Sequence, residues 1–281
     1  MILSVAAGAL MNERGAKMST MAVDERFQKD VQAYAAYLET PEGRLRSDLA
    51  FANLQDFIPP GAKTSLSALD LGCGPGTTAI RLARLGIRVT LLDSSPAMLD
   101  IAGRATREAG LTDKVVLQQG DAAQLANLFR ARSFDVIVCH NILEYCDDPS
   151  AVLRDVAGAL RDSSAILSVL VRNRAGEVFK AAIQAGDLAA AEGNLTAEWG
   201  QESLYGGRVR LFTPDSLRSM LTRASLAAFA ERGVRVLADY LPPRISRREE
   251  YERIFELERK LGALPEFSAV ARYTQCFARL P

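Results

Sequence analysis

The chain has 281 residues, 48% of them hydrophobic, enough for one large core or a core with a small cap. Lys+Arg and Asp+Glu stand at 34 each and the pI is near 6.6, so no global basic field exists to grip a nucleic-acid backbone. Cys73, Cys139, Cys146 and Cys276 form no CxxC pair, and His140 is the one histidine, so neither a disulfide framework nor a metal site is expected.

The apolar start Met1–Leu10 has no basic residue before it, and Asn12-Glu13-Arg14 follows at once, so a secretory signal is not expected. With Met11, Met18 and Met21 as alternative starts, residues 1–22 read as a disordered leader. Residues 23–62 read as an N-terminal helical cap. Its first helix runs around Phe27 to Leu38, with Phe27, Val31, Tyr34 and Leu38 on one face. A second helix follows Pro41 and carries Leu49, Leu54 and Phe57.

From 63 to 281 the pattern alternates strands and helices, the signature of a doubly wound α/β sheet. Ser67–Leu71 reads as a buried strand that breaks into Gly72-Cys73-Gly74-Pro75-Gly76-Thr77, after which a helix runs to about Leu85. A strand–glycine-loop–helix unit lets backbone N–H groups approach a nucleoside-bearing ligand. The spacing is G-x-G-x-G, with Thr77 where a dinucleotide fingerprint would carry its third glycine or alanine. A second strand, Ile87–Leu92, ends on Asp93, about twenty residues beyond the loop, where doubly wound folds place an acid for ribose hydroxyls. Ser94, Ser95 as N-cap and Pro96 at N1 then open a helix that carries Met98 and runs to Ala109.

A third strand, Val115–Gln119, leads into an acidic turn at Gly120-Asp121-Ala122-Ala123. A fourth, from Phe134, ends on polar His140 and Asn141. Open α/β sheets bind ligands at such carboxyl ends. A helix at Pro149–Leu160 and a fifth strand at Ala165–Val171 follow. An insertion at about 174–210, with an Ala-rich helix over Val178–Ala191 and several glycines, is expected to act as a lid. A helix from Pro214 to Phe229, a strand at Val234–Ala238, a helix at Arg247–Leu261 and a strand near Ala271–Phe277 complete seven strands, mostly parallel. No apolar run approaches bilayer length, and the thiols fit a reducing compartment, so a cytoplasmic location is expected.

The glycine loop with Asp70 before it resembles the first motif of class I S-adenosylmethionine-dependent methyltransferases, a Rossmann-like fold. Within that class the span from about Tyr37 to Arg279 resembles the tRNA carboxymethoxyuridine carboxyl methyltransferases and their unassigned relatives. The match rests on Glu42–Arg46, Cys139–Tyr145, Gln184–Asp187 and Gly233–Leu241. The resemblance implies S-adenosyl-L-methionine as cofactor, with Arg46 over its methionine carboxylate. It also implies Asp121 at the adenine amine, and Asp70, Gly72, Cys73, Gly74, Gly76, Asp93, Ser94, Met98, Ala122, Ala123 and His140 around the remainder.

Methyl transfer from a sulfonium needs a positioned nucleophile and little else. A carboxylate is already ionised at neutral pH, and an arginine would hold it; Arg235 is the first candidate, with Arg172 and Arg210 as others. An amine or phenol acceptor would want a base, for which Tyr240 and Asp239 are available. O-methylation of an acid is therefore expected, with N- or C-methylation of a small metabolite as the alternative. Further alternatives are a nicotinamide oxidoreductase, disfavoured by Thr77 and the acidic turn at Asp121, and a silent binding subunit, disfavoured by the intact glycine loop and Asp93. The interval Leu188–Trp199 holds no lysine, which tilts the acceptor from tRNA toward a small molecule, although Trp199 and Tyr205 could stack on bases. Homodimer formation is left open.

Overall fold

The computed structural model describes residues 31–58, 65–202 and 207–281. The expected leader, together with Phe27 and Tyr205, lies outside these residues. The cap consists of α1 (Val31–Glu39) and α2 (Pro41–Gln55), joined at Thr40, whose hydroxyl accepts the Gly43 N–H at 3.1 Å while Pro41 takes the first helical position. The joint is tight: a Cβ on Gly43 would fall 2.1 Å from the Tyr37 carbonyl oxygen.

Beyond the cap, β1 (Ser67–Leu71), α3 (Thr77–Arg84), β2 (Arg88–Asp93), α4 (Pro96–Glu108), β3 (Val115–Gln119), a short α5 (Leu125–Leu128), β4 (Val136–His140), α6 (Pro149–Ala159) and β5 (Ile166–Arg172) alternate as the periodicity predicts. The same start signal recurs at α4 and α6: a polar cap, then proline. Ser95 accepts the Met98 N–H at 3.4 Å, and Asp148 accepts that of Ala151 at 2.9 Å.

Corrections fall in the second half of the chain. The Ala-rich stretch is two helices rather than one, α7 (Arg174–Phe179) and α8 (Leu188–Asn194), separated by a wide turn over Lys180–Gln184. Gly186 turns the chain at φ +66, and the Asp187 carboxylate starts α8 by accepting the Ala190 N–H at 2.9 Å. A hairpin, β6 (Trp199–Gln201) with β7 (Arg208–Arg210), ends the insertion. The next helix, α9 (Pro214–Arg223), stops well short of Phe229 because Ser225 takes φ +58. The strand that follows, β8 (Ala227–Val234), begins seven residues before the expected Val234 and closes where Arg235 takes φ +62. Then come α10 (Tyr251–Ala263), a single turn α11 (Pro265–Ser268) and β9 (Tyr273–Arg279).

The sheet has seven strands in the order β3-β2-β1-β4-β5-β9-β8, parallel except for β9, which runs antiparallel to both neighbours. Alternate residues build its two faces. Leu69, Ile137, Leu167 and Val169 pack on one side, and Ala68, Val136, Val138 and Ile166 on the other. A third cluster joins Leu45 and Leu49 of α2 to Leu170, Val234, Ile254 and Tyr273, docking the cap over the carboxyl ends of the strands. Among the described residues no helix is long and apolar enough to cross a membrane.

Candidate active site

Parallel register brings the strand ends together: Leu71 stands opposite Leu92 on one side and Cys139 on the other. The glycine loop is therefore tied to β2, with the Gly72 and Cys73 N–H groups donating to the Leu92 carbonyl at 2.8 and 3.0 Å. The chain order β1-β4 next to β1-β2 makes this the point where the winding direction reverses, and a crevice opens there. It holds a cavity of about 490 Å3.

Asp93 is fixed at its rim by two backbone donors, Gly74 N–H at 2.8 Å on one carboxylate oxygen and Ser95 N–H at 2.9 Å on the other. Each oxygen keeps lone pairs for a ligand. Burial pushes the Asp93 carboxyl above its ordinary range, and these two hydrogen bonds oppose the shift. Arg46, Gly72, Gly74, Ser94, Met98, Asp121, Ala122, Ala123, His140 and Arg235 line the same cavity. Asp121 holds its turn by accepting the Ala123 N–H at 2.9 Å. Asp70 and Cys73 line a smaller recess beside it, shared with Arg46, Gly72 and His140. One Asp70 oxygen is buried without a hydrogen-bond partner, and burial with the nearby Asp93 charge drives its carboxyl up to about 7. Burial likewise holds the Cys73 thiol well above its usual value.

Three expected residues stand elsewhere. Gly76 lines neither space; it caps α3 at φ +80, and a Cβ there would meet Leu91 at 3.0 Å and Ala102 at 3.1 Å, so its work is packing helix against strand. Tyr240 also lines neither space, and its hydroxyl donates to the Gly176 carbonyl at 3.4 Å, which removes it as a candidate base. Arg210 is outside the cavity as well, its guanidinium stacked 4.6 Å from the Trp199 ring centre.

His140 lines both spaces and has a protein partner of its own. Its Nε2 lies 2.8 Å from the Ser168 hydroxyl, and burial followed by the Arg46 charge pulls its pKa down to about 3. The ring is neutral throughout the physiological range.

Another wall of the cavity is made of ions, of which the sequence offered Arg46, Arg172, Arg235 and Asp239 singly but not Arg272, Glu177 or Glu202, nor their gathering. Four buried arginines, Arg46, Arg172, Arg235 and Arg272, surround Tyr273. Arg172 pairs with Glu202 at 2.5 Å and Glu177 at 3.3 Å, and Arg272 with Glu177 at 2.9 Å. Arg235 donates from Nε to Asp239 at 2.8 Å and from Nη1 to the Tyr37 hydroxyl at 3.0 Å. Arg46 is the exception. It donates to the Tyr34 hydroxyl at 3.0 Å and lies 5.1 Å from the Tyr37 ring centre, but no carboxylate among the described residues pairs with it. A guanidinium is expensive to bury without an anion, so the arrangement is suited to receive one. The residues therefore fit a nucleoside ligand with an anionic tail: an acid for hydroxyls at Asp93, a bare glycine backbone, and a waiting cation at Arg46.

Sheet order, glycine loop and this crevice are those of the class I S-adenosylmethionine-dependent methyltransferases, and comparison with known proteins agrees. A family profile described as Methyltransferase domain matches residues 68–163. The tRNA 5-carboxymethoxyuridine methyltransferase of Escherichia coli (strain K12) is 27% identical over 265 residues, 92% of this chain and 95% of that one. A ubiquinone biosynthesis O-methyltransferase of Methylocella silvestris is 29% identical over 64% of this chain and 65% of its own. Among solved structures, magnesium protoporphyrin IX methyltransferase from Synechocystis PCC 6803 with bound SAH superposes with a TM-score of 0.64, covering 93% of this chain and 100% of that one at 13% identity. The chain carries a methyltransferase domain over residues 68–163 and has the fold of the class I S-adenosylmethionine-dependent methyltransferases. A second structure of that Synechocystis enzyme, with bound SAM, superposes with a TM-score of 0.61 over 98% of this chain and 100% of that one at 12% identity.

Proposed function

We propose that the enzyme methylates a carboxylate oxygen of its acceptor. The observation that carries this reading is the arginine wall: Arg172, Arg235 and Arg272 line the cavity and are held there by Glu177, Glu202 and Asp239. Guanidinium groups whose orientation is fixed by these carboxylates present planar N–H donors that suit a carboxylate acceptor. The relative that carries carboxymethoxyuridine in its name supports the same class.

The cofactor supplies an electrophilic methyl group on a sulfonium. Asp93 would take its ribose hydroxyls, the Gly72–Gly74 backbone would flank its body, and Arg46 would pair with its amino-acid carboxylate. Asp121 with Ala122 and Ala123 would border the adenine. An ionised carboxylate attacks in line without giving up a proton, so no general base is required. That fits a cavity whose histidine is neutral and whose Asp239 is engaged by Arg235.

A small acid is the favoured acceptor, given zero formal charge and no lysine between Leu188 and Trp199. One observation favours a modified tRNA nucleoside instead. Trp199, which is 36% exposed, carries the Arg208 and Arg210 guanidiniums 4.7 and 4.6 Å from its ring centre, a surface on which bases can stack. Incubation of small-molecule extracts and of bulk tRNA with labelled cofactor, followed by mass spectrometry, tests the reading. A methyl ester supports it, and a methylated amine or carbon as the sole product refutes it.

A further inference from the structure

Tyr273 opens β9 at the centre of the cavity wall, 4% exposed. It shares an apolar cluster with Leu45, Leu170, Val234 and Ile254, and charged groups and phenols gather around it. Arg46 comes from α2, Tyr34 and Tyr37 from α1, and Arg172 from β5, where it is Tyr273's cross-strand partner. Arg235 and Asp239 come from the loop after β8, Arg272 from the preceding residue, Glu177 from α7 and Glu202 from the insertion. The guanidinium carbons of Arg46 and Arg235 lie 5.7 and 5.8 Å from the ring centre. Three of the four arginines have carboxylate partners, and among the described residues Arg46 has none. Tyr273 is thus the acidic group shared by the unpaired cation on the cofactor side and the paired cations on the acceptor side.

We propose that Tyr273 is a positioning residue of the ligand site, its oxygen serving as the provisional counter-charge of Arg46 and yielding that role to the carboxylate of the incoming cofactor. This rests on the assignment of Arg46 to that carboxylate. Burial alone would raise the phenol, but Arg46, Arg172, Arg235 and Arg272 together bring it down to about 8. A fraction of the empty enzyme then carries a phenolate at mildly alkaline pH. When a ligand carboxylate settles on Arg46, the added negative charge removes the reason for ionisation, and the phenolate takes up a proton from solvent. Ligand binding and proton uptake are thereby coupled through one oxygen.

The coupling is visible by ultraviolet absorbance. The chain has seven tyrosines; Tyr37, Tyr145, Tyr240 and Tyr251 are held above the ordinary phenol range, and comparison with Tyr273→Phe assigns an ionisation near pH 8 to Tyr273 itself. Tyrosinate absorbance is followed from pH 6 to 10 in wild type and Tyr273→Phe, with and without saturating S-adenosylhomocysteine, which keeps the carboxylate and lacks the sulfonium. The expected result is one tyrosinate with a midpoint near 8 in wild type, absent in Tyr273→Phe, and moved upward by about one pH unit or more by the ligand. Calorimetry should show wild-type affinity for S-adenosylhomocysteine falling about tenfold from pH 7 to 9, with a flatter dependence in Tyr273→Phe. If that variant fails to fold, the wild-type titration with and without ligand decides alone. Absence of the midpoint, its persistence in Tyr273→Phe, or indifference to bound ligand overturns the proposal. Failure of wild type to bind S-adenosylhomocysteine would instead strike at the cofactor assignment of Arg46 itself, and take this proposal with it.

Discussion

The Gly74 N–H donates to the Asp93 carboxylate at 2.8 Å, locking the glycine loop after β1 to the end of β2. One side chain thus shapes the loop and faces the cavity beside it. Asp93→Ala should lose the proposed ribose acceptor and leave the Gly74 and Ser95 N–H groups without this partner. Affinity for S-adenosylhomocysteine should drop by about 1.5–3 kcal/mol, the usual worth of hydrogen bonds to a charged group. Calorimetry on a folded variant checks this, and unchanged affinity would refute the role of Asp93.

Asp70 predicts an alkaline penalty. Its carboxyl is raised to about 7 in the folded protein, whereas in the unfolded chain it ionises near the ordinary value of ~4. The unfolded state therefore loses its proton first, and stability falls as pH rises from about 4 to about 7, then levels off. Asp70→Asn copies the protonated form, so denaturant titrations should show the variant gaining more over wild type at pH 8 than at pH 4. Equal differences at the two pH values would contradict the assigned burial of an unpaired oxygen.

His140 gives the opposite sign. With its folded pKa depressed to about 3, its contribution is present above the unfolded value of ~6.5 and is lost as pH falls from there toward 3. As the chain's one histidine, it gives a single set of ring signals in NMR. Those signals should keep neutral-imidazole shifts at pH 5, and titration near 6.5 would contradict the buried contact with Ser168.

The insertion is pinned rather than free at its hairpin, because Glu202 reaches Arg172 at 2.5 Å and the Tyr145 hydroxyl at 3.2 Å. Removing one partner of a buried pair costs about 3–5 kcal/mol. Glu202→Ala should therefore lower unfolding stability by roughly 3 kcal/mol. It should also speed limited proteolysis between 174 and 210, with S-adenosylhomocysteine plus acceptor slowing the cleavage in wild type. Equal cleavage of wild type with and without ligands would remove the lid role.

What the sequence disclosed was local. Strand, glycine turn, Asp93 and the Ser95-Pro96 helix start are contiguous signals, and the structure places them together. Ala227–Val234 was misread because Ala227-Ala228-Phe229-Ala230 sits at the exposed sheet edge, where no buried face imposes alternation and alanine favours a helix. The Ala-rich stretch was read as one helix because Gly186 and Asp187, which break it, matter only when the backbone turns left-handed. The arginine wall was legible only in part: Arg46, Arg172 and Arg235 stood out as candidates, but neither Arg272 nor their gathering did. Arg46, Arg172, Arg235 and Arg272 are scattered along the chain, and only the insertion of β9 between β5 and β8 gathers them around Tyr273.

The acceptor chemistry can be read directly from the bond that is made. Enzyme, S-adenosylmethionine carrying a tritiated methyl group, and either small-molecule extract or bulk tRNA are incubated, and the methylated fraction is treated with mild alkali. A carboxyl methyl ester hydrolyses and releases the label as volatile methanol, which is the predicted result. Arg235→Gln should reduce that release through a higher KM for the acceptor, with cofactor affinity little changed. Label that stays on the acceptor through alkali would mean an amine, ether or carbon product and would contradict the carboxylate account.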